Sequence, residues 1–121
     1  MKALVVDDSA VMRKVMAGAL ARAGIEDVAQ AADGKEAVDA AMAEEFGLIL
    51  LDWNMPNMLG IDALKAIRAA GRTVPIIMVT TEAERTRVIE ALKAGANNYV
   101  IKPFEPAAIV TKIQETLAKA A

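Results

Sequence analysis

Five polar side chains stand where apolar runs of this sequence stop. Asp7 and Asp8 follow the first run, Asp52 follows the third, and Thr80 and Lys102 follow the fourth and fifth. A carboxylate can serve as a nucleophile, whereas a hydroxyl and an ammonium group can bind the oxygens of an anionic group. These residue types therefore predict a site for a charged group, provided that the fold brings them together.

The residue types that the chain lacks narrow this chemistry. With His 0 and Cys 0, the sequence excludes a Ser-His-Asp triad, a histidine base, histidine-ligated zinc, thiolate metal sites and disulfides. Carboxylates, hydroxyls, lysines and arginines remain to do any chemistry.

The apolar runs alternate with helical patterns. Strands are predicted at residues 3–6, 27–32, 47–52, 74–79 and 98–101. Each is followed by apolar residues at helical spacing, and Gly24, Gly71 and Gly95 supply stop signals. Capping boxes at residues 33–36 and 81–84 predict the starts of the second and fourth helices. This repeated alternation predicts an α/β fold, a doubly wound five-stranded parallel sheet with helices on both faces, in one domain over residues 1–121.

Parallel strands place their carboxyl ends at one edge of a sheet, so the five polar residues are expected to converge. Crowded carboxylates repel one another, and a hard divalent cation relieves that repulsion. Mg²⁺ prefers oxygen ligands and commonly combines one or two carboxylates with phosphate oxygens. The set therefore predicts a Mg²⁺ site at which a carboxylate accepts a phosphoryl group as an aspartyl phosphate.

Each polar residue also has a plainer interpretation. Asp52 could cap the next helix, Asp8 or Ser9 could cap the first, and Thr80 could cap the fourth. Lys102 could be a solvated charge. We prefer the functional interpretation because the plain one requires independent coincidences at one edge of the sheet.

Four segments carry a resemblance to a known family. They are residues 5–9 (Val-Val-Asp-Asp-Ser), 51–56 (Leu-Asp-Trp-Asn-Met-Pro), 79–80 (Val-Thr) and 99–104 (Tyr-Val-Ile-Lys-Pro-Phe). In this order they resemble the receiver domain of two-component response regulators, and the resemblance covers the whole chain. It is most similar to the single-domain members that act in chemotaxis. For the fold, the resemblance implies a flavodoxin-like sheet with strand order 2-1-3-4-5.

The resemblance also implies a role for each site residue. Asp52 is similar to the phosphoacceptor, Asp8 and Asp52 to direct Mg²⁺ ligands, and Asp7 to the residue that holds a metal-bound water. The backbone carbonyl of Asn54 is implied as a further ligand.

Other implied roles concern the phosphoryl group and the response to it. Lys102 would contact the phosphoryl oxygens, and Thr80 would follow the phosphoryl group by hydrogen bonding. Tyr99 is similar to the aromatic residue that turns inward with Thr80. Asn54 and Glu82 match positions that tune hydrolysis of the aspartyl phosphate.

Two residues depart from the family pattern. Leu59 stands where the family often has Asp, and Thr81 stands where it usually has Ala or Gly. Leu59 is expected to alter the loop after the site, and Thr81 is expected to affect the rates of phosphoryl transfer and loss.

The expected function is a signalling domain that takes a phosphoryl group from a histidine kinase and catalyses only its own phosphotransfer and dephosphorylation, so it is not a classical enzyme. Signalling is expected through binding of an output protein, with the flagellar motor switch as a candidate, to the face made by the fourth helix, fifth strand and fifth helix. A dedicated phosphatase is a further candidate partner.

Two other functions stay open. A phosphorelay intermediate would share every site residue but pass its phosphoryl group to another histidine. A phosphatase with an aspartyl-phosphate intermediate would usually carry a second Asp two residues after the nucleophile, where this chain has Asn54. A dinucleotide-binding module is poorly supported, because no Gly-x-Gly-x-x-Gly follows the first strand.

The remaining expectations concern partners and surface residues. Net charge −2 and a pI of about 5.2 argue against nucleic acid, and the sequence shows no membrane span or leader, so we expect a cytoplasmic protein. Trp53 is expected to be partly exposed beside the site. The basic residues of the first and fourth helices are expected to be solvated: Arg13, Lys14, Arg85 and Arg87.

Overall fold

Short apolar strands and amphipathic helices alternate along the chain, as the sequence predicted. The computed structural model describes residues 1–120. The strands are β1 (Lys2–Val6), β2 (Asp27–Ala31), β3 (Leu48–Leu51), β4 (Ile76–Thr80) and β5 (Asn98–Ile101). The helices are α1 (Ala10–Arg22), α2 (Gly34–Ala43), α3 (Gly60–Ala69), α4 (Arg85–Ala94) and α5 (Pro106–Ala120). Within the described residues no helix is long and apolar enough to cross a membrane.

The strands form one parallel sheet in the order β2-β1-β3-β4-β5. The predicted α/β fold and its strand order are therefore confirmed. β2 lies on one side of β1 and the later strands lie on the other side, so the strand order switches between β1 and β3. Ligands of open α/β sheets bind outside the carboxyl ends of the strands at such a point.

The three central strands are buried on both faces, which explains why they read as continuous apolar runs. On β3, Ile49 and Leu51 pack on one face and Leu48 and Leu50 on the other. Helices α2, α3 and α4 cover the first face, and α1 and α5 cover the second. This two-sided core holds the ends of the strands in fixed positions.

The helix starts differ in how they are held. Ser9 caps α1 by accepting a hydrogen bond from the Met12 N–H, and Asp33 caps α2 by accepting one from the Glu36 N–H. The predicted start of α4 at residues 81–84 is wrong. That helix begins at Arg85, and Glu84 at its cap position makes no side-chain cap bond.

Candidate functional site

The acids that follow β1 and β3 meet at the carboxyl edge of the sheet. Asp7 is buried, Asp52 is 7% exposed and Asp8 faces solvent. One carboxylate oxygen from each lies within 4.8 Å of those of the other two. The two strands are hydrogen-bonded neighbours, which brings together residues 44 positions or more apart in sequence. The predicted convergence of the three acids is thus found in the structure.

Lys102, which follows β5, reaches across to the same place. Its Nζ lies 2.6 Å from Asp7 Oδ2 and 3.3 Å from Asp52 Oδ2, and only 12% of its side chain is exposed. The alternative that Lys102 is merely a solvated charge is therefore wrong. A buried ammonium group between two carboxylates offsets their mutual repulsion and leaves a cation beside Asp52.

Asp52 is held in a fixed orientation. Its Oδ1 accepts a hydrogen bond from the Trp53 N–H at 2.7 Å, while Oδ2 faces Lys102. Burial raises the pKa of Asp52 above its ordinary value, and the charge of Asp7 adds to this, whereas Lys102 opposes it. Asp52 does not cap the following helix, because α3 begins only at Gly60.

The other plain interpretations have mixed outcomes. Ser9 does cap α1, and Asp7 Oδ1 accepts a hydrogen bond from the Ser9 N–H at 2.9 Å, so Asp8 is left free of a capping role. Thr80 is fully buried at the end of β4. Its Oγ1 accepts a hydrogen bond from the Glu82 N–H at 3.2 Å, which shapes the segment before α4 but does not cap the helix.

Glu82 connects the site to Tyr99. The Asn54 Nδ2 donates to the Glu82 Oε1 at 3.0 Å, and the Tyr99 hydroxyl donates to the Glu82 backbone carbonyl at 2.6 Å. Tyr99 is half-buried, and burial together with the charges of Glu82 and Asp52 raises its pKa to about 12. The residues predicted to tune hydrolysis and to respond to phosphorylation therefore form one hydrogen-bonded group.

Two expectations about the surroundings of the site are wrong, those for Trp53 and Arg13, whereas Lys14, Arg85 and Arg87 are exposed as predicted. Trp53 is only 3% exposed, because the guanidinium group of Arg87 lies over its ring and the core lies beneath. Half of the Arg87 side chain is nevertheless exposed. Arg13 donates to the backbone carbonyl of Asp7 at 2.7 Å, so it helps to hold the site.

Gly60, the first residue of α3, is a residue of the site that the sequence motifs did not indicate. A Cβ at Gly60 would lie 1.8 Å from the backbone oxygen of Asp52, so no other residue fits without moving that backbone. The Gly60 N–H also donates to the Trp53 carbonyl at 2.8 Å. The sequence does show a glycine eight residues after the candidate phosphoacceptor. The close approach of Gly60 to the Asp52 carbonyl could not be predicted from it, because that approach depends on the path of the loop.

The two departures from the family pattern lie on the surface near the site. Leu59 is 42% exposed at the start of α3. Thr81 is exposed and directly follows Thr80.

The donor set fits a hard divalent cation. All three acids offer oxygen atoms, their ligand atoms are close enough to share one ion, and no sulfur or imidazole nitrogen is present. The acidic cluster thus agrees with the Mg²⁺ predicted from the sequence.

Comparison with known proteins decides the family. The profile of the response regulator receiver domain matches residues 3–114. The chain belongs to this family. The receiver domain is 47% identical over 120 residues to the chemotaxis protein CheY1 of Helicobacter pylori strain J99, with 97% of each chain covered. It is 46% identical to a chemotaxis protein CheY homolog of Campylobacter jejuni, covering 97% of this chain and 92% of the relative.

Solved structures give the same result. The chemotaxis protein CheY4 of Vibrio cholerae matches with a TM-score of 0.86 at 37% identity, over 95% of this chain and 97% of that one. The receiver domain of a Francisella response regulator matches with a TM-score of 0.90 at 29% identity, over 99% and 98%. Receiver domains of this type are regulators in two-component signalling, and they bind Mg²⁺ at an acidic pocket.

Proposed function

We propose that this receiver domain accepts a phosphoryl group on Asp52 from the phosphohistidine of a kinase, loses it by hydrolysis, and signals while phosphorylated. The observation that carries the proposal is the contact of Lys102 with both Asp52 and Asp7 at the carboxyl edge of the sheet. This contact places a nucleophilic carboxylate beside a fixed cation, in the reach of a third acid.

In the transfer step, an Asp52 carboxylate oxygen attacks the phosphorus, and a P–O bond forms while the P–N bond to the histidine breaks. The electron pair leaves with the imidazole nitrogen, which takes up a proton. In the loss step, a water oxygen attacks the phosphorus, the bond to Asp52 breaks, and inorganic phosphate leaves. The Asp52 carboxylate is regenerated.

The chain's own residues serve both steps. Lys102 stabilises negative charge on the phosphoryl oxygens, and the hydroxyl of Thr80 hydrogen-bonds to one of them. The Trp53 N–H keeps Asp52 oriented. Asp8 and Asp52, with the Asn54 carbonyl, would hold Mg²⁺ directly and Asp7 through a water. When bound, this ion neutralises charge on the phosphoryl group.

The output surface that we propose is formed by α4, β5 and α5. Ile89, Leu92 and Ile101 are each 39–46% exposed on α4 and β5. Exposed apolar side chains on neighbouring elements indicate a protein-binding surface. Tyr99 lies on β5 within this region, which connects the surface to Glu82 and Asn54.

The partners follow from this proposal. A histidine kinase supplies the phosphoryl group, and an output protein binds the phosphorylated form. Since the relatives are named chemotaxis proteins, the flagellar motor switch is the candidate output, and a phosphatase is a further candidate. The cytoplasmic location and the assignment of residues 1–121 to one receiver unit stay predictions.

The test is uptake of a phosphoryl group from acetyl phosphate with Mg²⁺, followed by mass spectrometry. We expect the parent chain to gain one phosphoryl group, and Asp52→Asn to gain none. Asp39→Asn, which removes an exposed acid from α2, serves as the matched control and should behave like the parent. Equal labelling of Asp52→Asn and the parent would contradict the proposal.

The same preparation separates the rival functions. A phosphatase would turn over added phosphate esters continuously, which Asn54 disfavours because an amide cannot donate or accept a proton as a carboxyl does. A phosphorelay intermediate would transfer its phosphoryl group to a histidine-phosphotransfer protein. We expect neither activity to exceed hydrolysis of the aspartyl phosphate.

A further inference from the structure

The start of α4 lacks the bond that secures the start of α1 and α2. Glu84 makes no side-chain cap bond, so the first N–H groups of α4 have no side-chain acceptor at the cap position. Ser9 and Asp33 supply such an acceptor to α1 and α2, whereas Leu59 at the start of α3 supplies none. Other side-chain contacts within and around the first turn therefore contribute to holding the start of α4.

Arg87 makes such a contact in the first turn of α4. Its guanidinium carbon lies 5.6 Å from the centroid of the Trp53 ring, within the range of a cation–π interaction. Its Nη1 also lies 3.3 Å from Glu90 Oε1, one turn further along the helix. The Glu90 carboxylate thus contacts the same guanidinium group that lies over the ring.

Trp53 is a fixed platform for this contact. The backbone N–H of Trp53 donates to Asp52 Oδ1 at 2.7 Å, and its backbone carbonyl accepts from the Gly60 N–H at 2.8 Å. The ring is almost completely buried. Arg87 therefore fastens α4 to the residue that directly follows the phosphoacceptor.

Arg87 also acts on Tyr99. Its charge lowers the pKa of the Tyr99 hydroxyl, in opposition to Glu82 and Asp52. The Tyr99 hydroxyl in turn holds the Glu82 carbonyl, two residues before the cap position of α4.

We infer that Arg87 is a positioning residue that fastens the uncapped start of α4 to Trp53, and so sets how freely α4 and Tyr99 respond to the state of Asp52. The response to Asp52 rests on the proposed function, whereas the fastening does not. The planar guanidinium group suits this role because it stacks on an aromatic face, which a lysine ammonium group does less well.

The test compares Arg87→Gln, Arg87→Lys and Arg85→Gln. Arg85→Gln is the matched control, because it removes the same charge from the exposed surface of the same turn. In Arg87→Gln we expect amide hydrogen exchange at residues 87 and 88, whose N–H groups donate to the Glu84 carbonyl at 3.0 Å, to accelerate about two- to fivefold, the range for an exposed cation–π contact. The Tyr99 ring resonances should shift, and Arg87→Lys should restore part of both effects.

A second set of variants tests whether Trp53 is the residue that Arg87 contacts. Substituting Trp53→Leu should accelerate the same amides, and adding Arg87→Gln to that variant should change them no further. If Trp53→Leu fails to fold, the first three variants still decide the matter. Identical exchange and Tyr99 resonances in Arg87→Gln and Arg85→Gln overturn the inference.

Phosphoryl uptake on the same samples separates the two proposals. If the parent takes up a phosphoryl group while Arg87→Gln behaves like Arg85→Gln, only the inference about Arg87 is overturned. If the parent takes up none while Arg87→Gln shows faster exchange, the proposed function fails and the fastening of α4 stands.

Discussion

Two of the segments that leave the sheet beside the site, those after β3 and β4, are held in different ways. The segment after β3, residues 52–59, is fixed by backbone contacts: the Gly60 N–H donates to the Trp53 carbonyl at 2.8 Å, and the Met58 N–H donates to the Pro56 carbonyl at 2.7 Å. The segment after β4, residues 81–84, is held instead by side-chain contacts. Glu82 in that segment is bound by the side chains of Asn54, Thr80 and Tyr99.

This difference corresponds to two tasks. A phosphoacceptor must be presented in one position, and residues 52–59 achieve this with backbone contacts that leave no room for movement. A segment that reports phosphorylation must have a second arrangement, and side-chain contacts can be exchanged more easily than backbone ones. The comparison predicts large effects from changes in the first segment and smaller, state-dependent effects from changes in the second.

The largest effect is expected at Gly60. In Gly60→Ala the new Cβ would lie 1.8 Å from the Asp52 backbone oxygen, so the loop must shift. We expect a loss of about 3 kcal/mol in the free energy of unfolding, as for severe overpacking. Phosphoryl uptake should fall with it, because the shift moves Asp52. Urea unfolding and labelling with acetyl phosphate measure the two effects.

Gly18→Ala is the control for Gly60→Ala. Gly18 lies within α1 with no heavy atom within 4 Å of a Cβ placed there. Since alanine is the better helix former, this variant should gain about 0.5–1 kcal/mol. A stable Gly60→Ala with normal labelling would show that residues 52–59 can move.

The next effect concerns the acids in the absence of Mg²⁺. Because burial raises the pKa of Asp52, ionising it costs the folded state free energy. Stability of the parent should therefore fall as pH rises from 3.8, the ordinary pKa of the carboxyl group, through the raised value. Asp52→Asn should lose this slope and melt several degrees higher at neutral pH, since about 1 kcal/mol shifts Tm by about 4 °C.

Asp8→Asn tests the electrostatic repulsion among Asp7, Asp8 and Asp52 by removing the charge of the exposed member. We expect a smaller rise in Tm without Mg²⁺, together with loss of phosphorylation, because Asp8 is a proposed metal ligand. Thermal melts with and without a chelator give both values. If metal-free Asp8→Asn and Asp52→Asn melt at or below the parent, the three acids do not repel one another as proposed.

A smaller, state-dependent effect is expected at Thr80 and Tyr99. A beryllofluoride complex, which stands in for the phosphoryl group, should draw the Thr80 hydroxyl toward it and bury the half-exposed Tyr99 ring. Tyr99 NMR spectra with and without beryllofluoride and Mg²⁺ would record this. The coupling between the site and an output partner, of the order of 1–3 kcal/mol, should decrease in Thr80→Ala.

Thr81→Ala is the control for Thr80→Ala. Because Thr81 is exposed, its substitution should leave the coupling intact. It directly follows Thr80, so the rates of phosphoryl transfer or loss should still change. If Tyr99 keeps one arrangement in both states while partner binding still responds, signalling runs through residues 81–84 without Tyr99.

The smallest effect is a change in Trp53 fluorescence on Mg²⁺ binding. The Trp53 N–H bonds to Asp52 Oδ1, so a cation at Asp52 alters the field at the indole ring although the ring is buried. We expect a saturable change in emission that Asp8→Asn weakens. A flat titration, with no change in melting temperature, would contradict the metal site.

The sequence alone determined the elements and the composition of the site. The three central strands are buried on both faces and have to be apolar throughout, so their runs and polar ends are visible in the sequence, whereas β5 was predicted from a shorter run; a parallel sheet must gather all these ends at one edge. Asp7, Asp52 and Lys102 could therefore be predicted together.

Only the tertiary structure decided how the neighbours of those residues are used. Arg87 and Trp53 are 34 positions apart, and nothing in the local pattern of either distinguishes a stacked arginine from a solvated one. The closeness of Gly60 to the Asp52 carbonyl depends on the loop path. The start of α4 at Arg85 rather than Thr81 depends on Thr80 and Tyr99 binding Glu82. Such contacts join separate segments, and local sequence preferences carry no information about them.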